Sequence, residues 1–382
     1  MSVIDFRKFD IDETPIRKLR RCTCCVLPET MPFIEFDENG VCNYCRSYKK
    51  RQYIGEAAVR QMAEKIRKPG QKYDSLVSFS GGRDSCYGLH YFVRELGLKP
   101  LAYCYDWGIG TDIASRNQQR MCSKLNVELV TIKADVEKKR RNIRKNIQAW
   151  LRKPDLGMIP LFMAGDKHYF YYANSVCREY DLDTVLMAAN PFEETHFKSG
   201  FCGVRPKVLS TGEANNSFEK LPLISVLKMS GYYAGQFLSN PAYINNSLWD
   251  TFTAALSYYI VPHNYFRLFN YIPWNEEVVD TLLLNEYDWE RSTDCHTTWR
   301  IGDGTAPFYN YIYYRVAGFT ENDTLRSNQI REGMLTREKA LEYVYRDNAP
   351  RYESMKWYFD VVGLNMEEVL EKTAAIPTIY NK

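Results

Sequence analysis

The chain has 382 residues, 45% of them hydrophobic and 14% aromatic, enough apolar material for two or three packed domains, which excludes a disordered polypeptide. Its 50 basic and 47 acidic residues leave a net charge of +3, so charge balance alone points to no polyanionic partner and partners must be argued locally. No run approaches the roughly 18 apolar residues of a membrane-spanning helix, and the opening "MSVIDFRKFDIDE" is too charged for a signal-peptide core, so a cytoplasmic protein is expected.

Residues 1–54 are expected to form a small metal knuckle. In "RCTCCVLPETMPFIEFDENGVCNYC", Cys22-x-x-Cys25 and Cys42-x-x-Cys45 are separated by sixteen residues, and five of the eleven cysteines precede residue 46. Each CxxC lets two thiolates converge from one tight turn, and two such turns complete a tetrahedral shell for zinc. An iron–sulfur cluster on the same four residues and four unpaired structural cysteines are the alternatives. Cys24 competes as a ligand, but Cys22 and Cys25 keep the two-residue gap. Pro28, Pro32 and the "DENG" turn suit a zinc-ribbon-like unit that folds around its metal.

Residues 55–200 alternate between helical and extended patterns. "GEAAVRQMAEKIRK" reads as an amphipathic helix ended by Pro69-Gly70. In "LVSFSGGRDSCYGLHYF", Val77 and Phe79 read as a buried strand, two glycines as a turn, and Asp84 to Leu96 as a helix. Then come "KPLAYCYDW" (strand), "DIASRNQQRMCSKLN" (helix), "VELVTIKA" (strand) and "NSVCREYDLDTVLMAANPFEE" (helix, strand, loop). This alternation predicts an α/β fold with a doubly wound parallel sheet whose ligands sit at the carboxyl ends of the strands, where Ser80, Asp106 and Asn190 face one crevice. "KKRRNIRK" (138–145) holds six basic residues in eight; a solvated helical face is favoured over an RNA or sugar-nucleotide site.

Residues 201–382 read as mainly helical and aromatic-rich, completing the active site. "GYYAGQF", "LSYYIVPHNYFRLFNYIPW" and "PFYNYIYYR" are most simply helical core, with tyrosines to spare for a sugar. In "STDC" (292–295), Asp294 is the substrate-side candidate; Cys295 and His296, adjacent in the chain, rarely point at each other, so a structural or substrate-lining role is favoured over covalent catalysis. In "IREGMLTREKAL", Gly333 reads as a helix C-cap and Thr336 as the next N-cap, with a functional role for Arg331 equally open.

A strand, a glycine turn and a helix aim backbone N–H groups and the positive end of the helix dipole at one point, as phosphate sites do. The loop lacks the Lys-Ser/Thr ending of a Walker A loop and GxGxxG spacing. "SFSGGRDS" resembles the SGGxDS pyrophosphate loop (PP-loop) of the ATP-pyrophosphatase superfamily, with its adenine nucleotide alpha hydrolase-like fold. The plain alternative is a glycine turn in which Asp84 only caps a helix. Adding the cysteine knuckle, "STDC" and "IREGMLTREKAL" in this order, the chain from about residue 20 to about residue 345 resembles the N-acetyl sugar amidotransferase family of bacterial lipopolysaccharide O-antigen and pseudaminic-acid-type acetamidino sugar biosynthesis. Two departures stand out: residues 200–290 carry no matching motif, and Cys24 stands where a basic residue is expected.

The resemblance implies ATP, Mg²⁺ and Zn²⁺. Ser80, Gly81, Gly82, Arg83 and Ser85 would hold the pyrophosphate and Asp84 would help hold Mg²⁺ or orient the loop, with Asp84, Ser85 and Asp294 as catalytic residues, and Asp106, Thr111, Asn190 and Glu193 near the nucleotide. An acetamido oxygen is adenylated and ammonia displaces AMP, giving an acetamidino sugar; the substrate is expected to be nucleotide-linked. Ser2 is not a cysteine and no nucleophile elbow accompanies a Cys-His pair, so the ammonia is expected from a separate glutaminase through an ammonia-conducting partner. The alternatives are a PP-loop tRNA thiolation enzyme, disfavoured because no CxxC follows the loop, and a non-catalytic zinc-ribbon scaffold.

Overall fold

The apolar runs around Leu76 and Leu101 leave no polar face for water, so their strands must be covered on both sides. The computed structural model describes residues 6–163, 165–193, 197–205, 222–261 and 264–380; Ser2 lies outside them. It forms a five-stranded, all-parallel sheet from β1 (Ser75–Ser78), β2 (Pro100–Asp106), β3 (Leu129–Lys133), β4 (Val185–Met187) and β5 (Tyr265–Arg267), in the order β3-β2-β1-β4-β5. Leu76 pairs with Leu101 on one side and with Val185 on the other, so the winding reverses at β1. The α/β expectation holds at this level, with a parallel sheet and a helical C-terminal part.

The α-helices of eight or more described residues are α1 (Glu56–Ile66), α2 (Arg83–His90), α3 (Asp112–Leu125), α4 (Val136–Trp150), α5 (Tyr169–Glu179), α6 (Leu223–Ser239), α7 (Ser247–Tyr259), α8 (Glu276–Glu286), α9 (Ala306–Ala317), α10 (Glu321–Glu332), α11 (Arg337–Asp347), α12 (Tyr352–Val362) and α13 (Met366–Ala374). Successive strand residues point to opposite faces. Leu76, Leu101, Tyr103, Val185 and Tyr265 pack with Phe170, Ala173 and Val176 of α5. Val77, Ala102, Leu186 and Phe266 pack with Val59 of α1, Cys86 and Leu89 of α2, and Val279 and Leu283 of α8. A third core joins Cys22, Cys25 and Cys42 to Ile143, Phe308, Tyr313, Tyr358 and Leu370, so the knuckle shares its interior with the C-terminal helices.

Three local outcomes refine the sequence reading. The helix expected from Asp84 to Leu96 ends as α-helix at His90 and continues as one π turn, Tyr91–Glu95. Tyr265–Arg267, read as helical core, is the edge strand β5: its aromatic residues suit a pleated surface, and the free edge of β4 supplies the partner. The basic run lies in α4, where Lys138, Arg141 and Lys145 are exposed but Lys139 is buried and paired with Asp250 at 2.9 Å. On α6 and α7, Leu223, Leu238, Trp249 and Phe252 are exposed.

Gly88 lets α2 lie against the sheet, since a Cβ there would overlap the side chain of Ala188 just beyond β4. Gly88→Ala is expected to cost about 1–3 kcal/mol of unfolding free energy in urea denaturation. An unchanged midpoint would show that helix and strand can separate freely.

Candidate functional site

The loop after β1 sits where the strand order reverses, the usual ligand position in open α/β sheets. Gly81 has φ 78°, and a Cβ there would strike the Ala114 carbonyl oxygen and the Gln118 side chain of α3. Gln118 Nε2 also donates to the Phe79 carbonyl at 3.0 Å, which clamps the turn against α3. Ser80 Oγ accepts from the Gly82 N–H at 3.3 Å and stands 3.1 Å from Ser85 Oγ, which donates to the Gly82 carbonyl at 3.0 Å. Two hydroxyls are thus brought together at the N-terminus of α2 over a backbone without side chains, an arrangement suited to an anion.

Arg83 is 3% exposed, and its guanidinium is shared among carboxylates. It reaches Asp84 Oδ1 at 3.1 Å, Glu276 Oε1 at 3.1 Å and Glu193 Oε1 at 3.3 Å, and lies 4.8 Å above the Trp274 ring. Trp274 Nε1 donates to Asp84 Oδ1 at 2.8 Å. Arg83 therefore orients the carboxylates around the loop. Burial and then the Asp84 charge hold the Glu193 carboxyl well above the usual range, although Arg300 and Arg83 oppose this. Burial likewise opposes ionisation of Glu276, but Arg326 and Arg83 outweigh it and bring it down to about 2.

The segment 299–305, "WRIGDGT", crosses the crevice. Thr111 donates its hydroxyl to the Ile301 carbonyl at 2.8 Å and its N–H to the Gly302 carbonyl at 3.3 Å. A Cβ on Gly302 would come within 3.9 Å of Gly82. Arg300, at φ 54°, lies 3.4 Å from Glu321 Oε2, while Lys198 Nζ lies 2.7 Å from Glu321 Oε1 and 4.0 Å from the Tyr309 ring centre. Tyr309 OH donates to Glu321 Oε2 at 2.9 Å. Glu321 is fully buried, a cost that Arg300 and Lys198 outweigh, so its carboxyl is held down at about 2.

The structure brings Ser80, Gly81, Gly82, Arg83, Asp84, Ser85 and Glu193 together. Asn190 is buried nearby, its Oδ1 accepting from the Phe192 N–H at 2.9 Å and its Nδ2 without a partner among the described residues. Asp106 ends β2, with Oδ1 accepting from Gly108 N–H at 2.9 Å, and Thr111 caps α3 through the Ala114 N–H at 3.2 Å. Asp294 holds the start of α12, where it accepts the Ser354 N–H and hydroxyl, both at 2.8 Å, and pairs with Arg351 at 3.4 Å. Cys295 is half-buried and His296 exposed. Lys198, Arg300 and Glu321 carry no motif that marks them in the sequence; the paired glycines of "IGDGT" are the signal for that strap.

The sulfurs of Cys22, Cys25, Cys42 and Cys45 all lie within 4.8 Å of one another, and this set can hold a metal ion such as zinc. Cys22–Cys45 and Cys25–Cys42 separations of 4.0 and 3.8 Å match the roughly 3.8 Å edge of a tetrahedron with Zn–S bonds of about 2.3 Å. The Cys24, Cys25 and Cys42 N–H groups approach Cys22 Sγ at 3.4, 3.4 and 3.2 Å. Cys24 itself is exposed and outside the set. Arg331 of α10 donates Nε to Cys45 Sγ and Nη2 to Cys25 Sγ, each at 3.3 Å, and Arg337 Nε reaches the Cys22 and Cys25 carbonyls at 3.0 and 3.1 Å. Gly333, at φ 79°, and Thr336, accepting from the Lys339 N–H, cap the helices between these arginines as their residue types suggest.

Compared with known proteins, the chain matches no protein-family model and no curated protein.

Arg331→Met is expected to loosen bound zinc about 10–100-fold in a chelator competition, because it strips a positive donor from two thiolates; unchanged retention would remove Arg331 from the metal's support. Glu321→Gln is expected to lower stability at pH 7 by about 3 kcal/mol, since it leaves Lys198 and Arg300 without their buried counter-charge. The folded carboxyl is depressed to about 2, so the wild type's advantage is full above its unfolded value near 4.5 and lost as pH falls through the folded one. Urea midpoints between pH 7 and pH 3 check this; a gap that widens on acidification would contradict it.

Proposed function

We propose that the chain is an ATP-dependent amidotransferase, a C–N ligase forming AMP and pyrophosphate, that converts an acetamido group of a nucleotide-linked N-acetyl sugar to an acetamidino group for bacterial surface polysaccharide or nonulosonic acid biosynthesis. The observation that carries the reading is the loop: Ser80 and Ser85 hydroxyls 3.1 Å apart, over a Gly81 that tolerates no side chain, at the reversal point of a parallel sheet. The "SGGRDS" residues bear the resemblance, and the acidic and basic side chains gathered around them suit a triphosphate and a cation.

In this reading the acetamido oxygen attacks the α-phosphorus of ATP and pyrophosphate leaves. Ammonia then adds to the activated carbon, AMP departs with the former amide oxygen, and C=O has become C=NH. The Ser80 and Ser85 hydroxyls and the loop N–H groups bind the departing pyrophosphate, and Arg300 and Lys198 counter charge that develops beside the strap. Asp84 and Glu193 fit Mg²⁺: two neighbouring carboxyls, one of them with its ionisation opposed by burial and by its neighbour, gain from a shared divalent cation, which would supply charge neutralisation of the phosphates. Cys22, Cys25, Cys42 and Cys45 would hold zinc, whose contribution is to fix the knuckle under α10. Ser85 stays in the loop as a donor, whereas Asp294 acts at a distance, by seating α12. Ammonia comes from a separate glutaminase through a conducting partner.

Purified protein with ATP, Mg²⁺, ammonium and nucleotide-linked diacetamido sugars is expected to release AMP as the sugar loses about one mass unit, O for NH, with Asp84→Ala inactive. AMP release only on adding tRNA would replace amidotransfer with thiolation, and ATP binding without turnover would leave a scaffold.

A further inference from the structure

Arg83, Lys198 and Arg326 each donate hydrogen bonds to side chains around the strap and loop. Arg300 donates none to the described residues. Its nearest carboxylates are Glu321, whose Oε2 lies 3.4 Å from Nε without hydrogen-bond geometry, and Asp303, whose Oδ2 lies 4.0 Å from Nη1. Glu321 is already held on both oxygens, by Lys198 Nζ at 2.7 Å and by Tyr309 OH at 2.9 Å. Nε of Arg300 is enclosed, but its two Nη groups are not, and 29% of the side-chain surface is open. Trp299 and Arg300 line a cavity beside the strap, so a ligand has room to approach. The residue also sits at φ 54°, a left-handed backbone that an arginine adopts only where its surroundings impose it. Here Arg351 Nη1 donates to the Arg300 carbonyl at 3.3 Å, Thr111 Oγ1 to the Ile301 carbonyl at 2.8 Å and the Gly304 N–H to the Ile109 carbonyl at 3.1 Å. Gly302 lies against Gly82, and two residues of chain span at most about 7 Å, so Arg300 belongs to the surroundings of the glycine loop. Its charge also acts on Glu193, which stands 3.3 Å from Arg83.

We propose that Arg300 takes the α-phosphate of ATP, its two Nη groups donating to non-bridging oxygens in the paired geometry that a guanidinium shares with phosphate. This rests on the ATP-dependent reading of the loop and deepens it. The loop keeps the β and γ phosphates, which leave as pyrophosphate, while Arg300 holds the phosphorus that is attacked. Charge grows on the oxygens of that phosphorus during the attack, and a donor pair already fixed beside them binds the crowded state more tightly than the ground state. Glu321 keeps Lys198 and Tyr309 when Arg300 turns to phosphate, so no buried carboxylate is left unanswered. The plain alternative is that Arg300 only balances the charge of Glu321.

Two variants of the full chain test this. Arg300→Gly removes the guanidinium at a φ that suits glycine, and Arg300→Lys keeps the charge but loses the fork. Calorimetry with AMP, Mg-ATP and Mg-pyrophosphate is expected to show AMP and ATP weakened about 100-fold by Arg300→Gly and about 10-fold by Arg300→Lys. Pyrophosphate should bind both variants as it binds the wild type, which also shows that the loop is still folded. Wild-type affinity for AMP and ATP in Arg300→Gly, or full recovery in Arg300→Lys, reduces Arg300 to the counter-charge of Glu321 and overturns the proposal. A loss shared equally by pyrophosphate overturns it as well, and so does weaker binding of a UDP-linked hexose with ATP unchanged, which would give Arg300 to the sugar's diphosphate. A wild type that binds neither AMP nor pyrophosphate sinks the ATP reading together with the proposal. AMP-selective loss in a protein that makes no amidino product upholds Arg300 and sinks the amidotransferase reading alone.

Discussion

Helix α10 is the constraint on which the rest depends, because its charges are buried and each must be answered by a different part of the molecule. Glu321 binds Lys198 and Arg300; Asp323 binds Arg21, both nearly inaccessible, at 2.7 Å. Arg326 binds Glu276 and Asp347, and Asn328 Nδ2 donates to the Phe192 carbonyl at 3.0 Å. Arg331 ends the series on the sulfurs of Cys25 and Cys45. A buried charge without its partner costs several kilocalories per mole, so none of these neighbours can shift alone. Thr320 and Asp323 close a capping box at the start of the helix, which holds the whole series in register.

The knuckle is therefore bound into the body of the protein. Four close sulfurs that can hold a metal ion meet Arg331; the helix carries that position along its length to Glu321, beside the strap next to the glycine loop. The same helix reaches the loop by a second route, Arg326 to Glu276 to Arg83. Cysteine knuckle, strap and loop share one scaffold of ion pairs and hydrogen bonds, whose low-dielectric surroundings strengthen each satisfied contact.

Electrostatics around the loop are organised before any ligand arrives. Arg83 divides its charge among Asp84, Glu193 and Glu276, which holds the acidic groups in place and keeps them from driving the loop apart. Lys198 and Arg300 are balanced by one buried glutamate in the same way. Fixed charges of this kind would need little rearrangement for the polyanion and cation of the proposed reaction.

The sequence by itself determined what rests on short-range rules. Period-two and period-3.6 patterning set the four strands from Ser75 to Met187 and their helices, CxxC spacing set the metal ligands, and Gly81, Gly333 and Thr336 follow from backbone geometry and capping. Tyr265–Arg267 escaped because three residues become a strand only where an open sheet edge waits for them. "ENDTLRSNQIRE" is polar all round and reads as a surface helix, yet Glu321 to Gln329 are buried, since every partner that makes this tolerable is remote in the chain. Asp294 stands out in the sequence only through "STDC", and its bonds to Ser354 at the start of α12 arise from packing. Tertiary structure alone decided which charges meet, because ion pairs depend on distance in space, and the strap, the Lys198–Arg300–Glu321 group and the Trp299 cavity exist only once the chain has closed on itself.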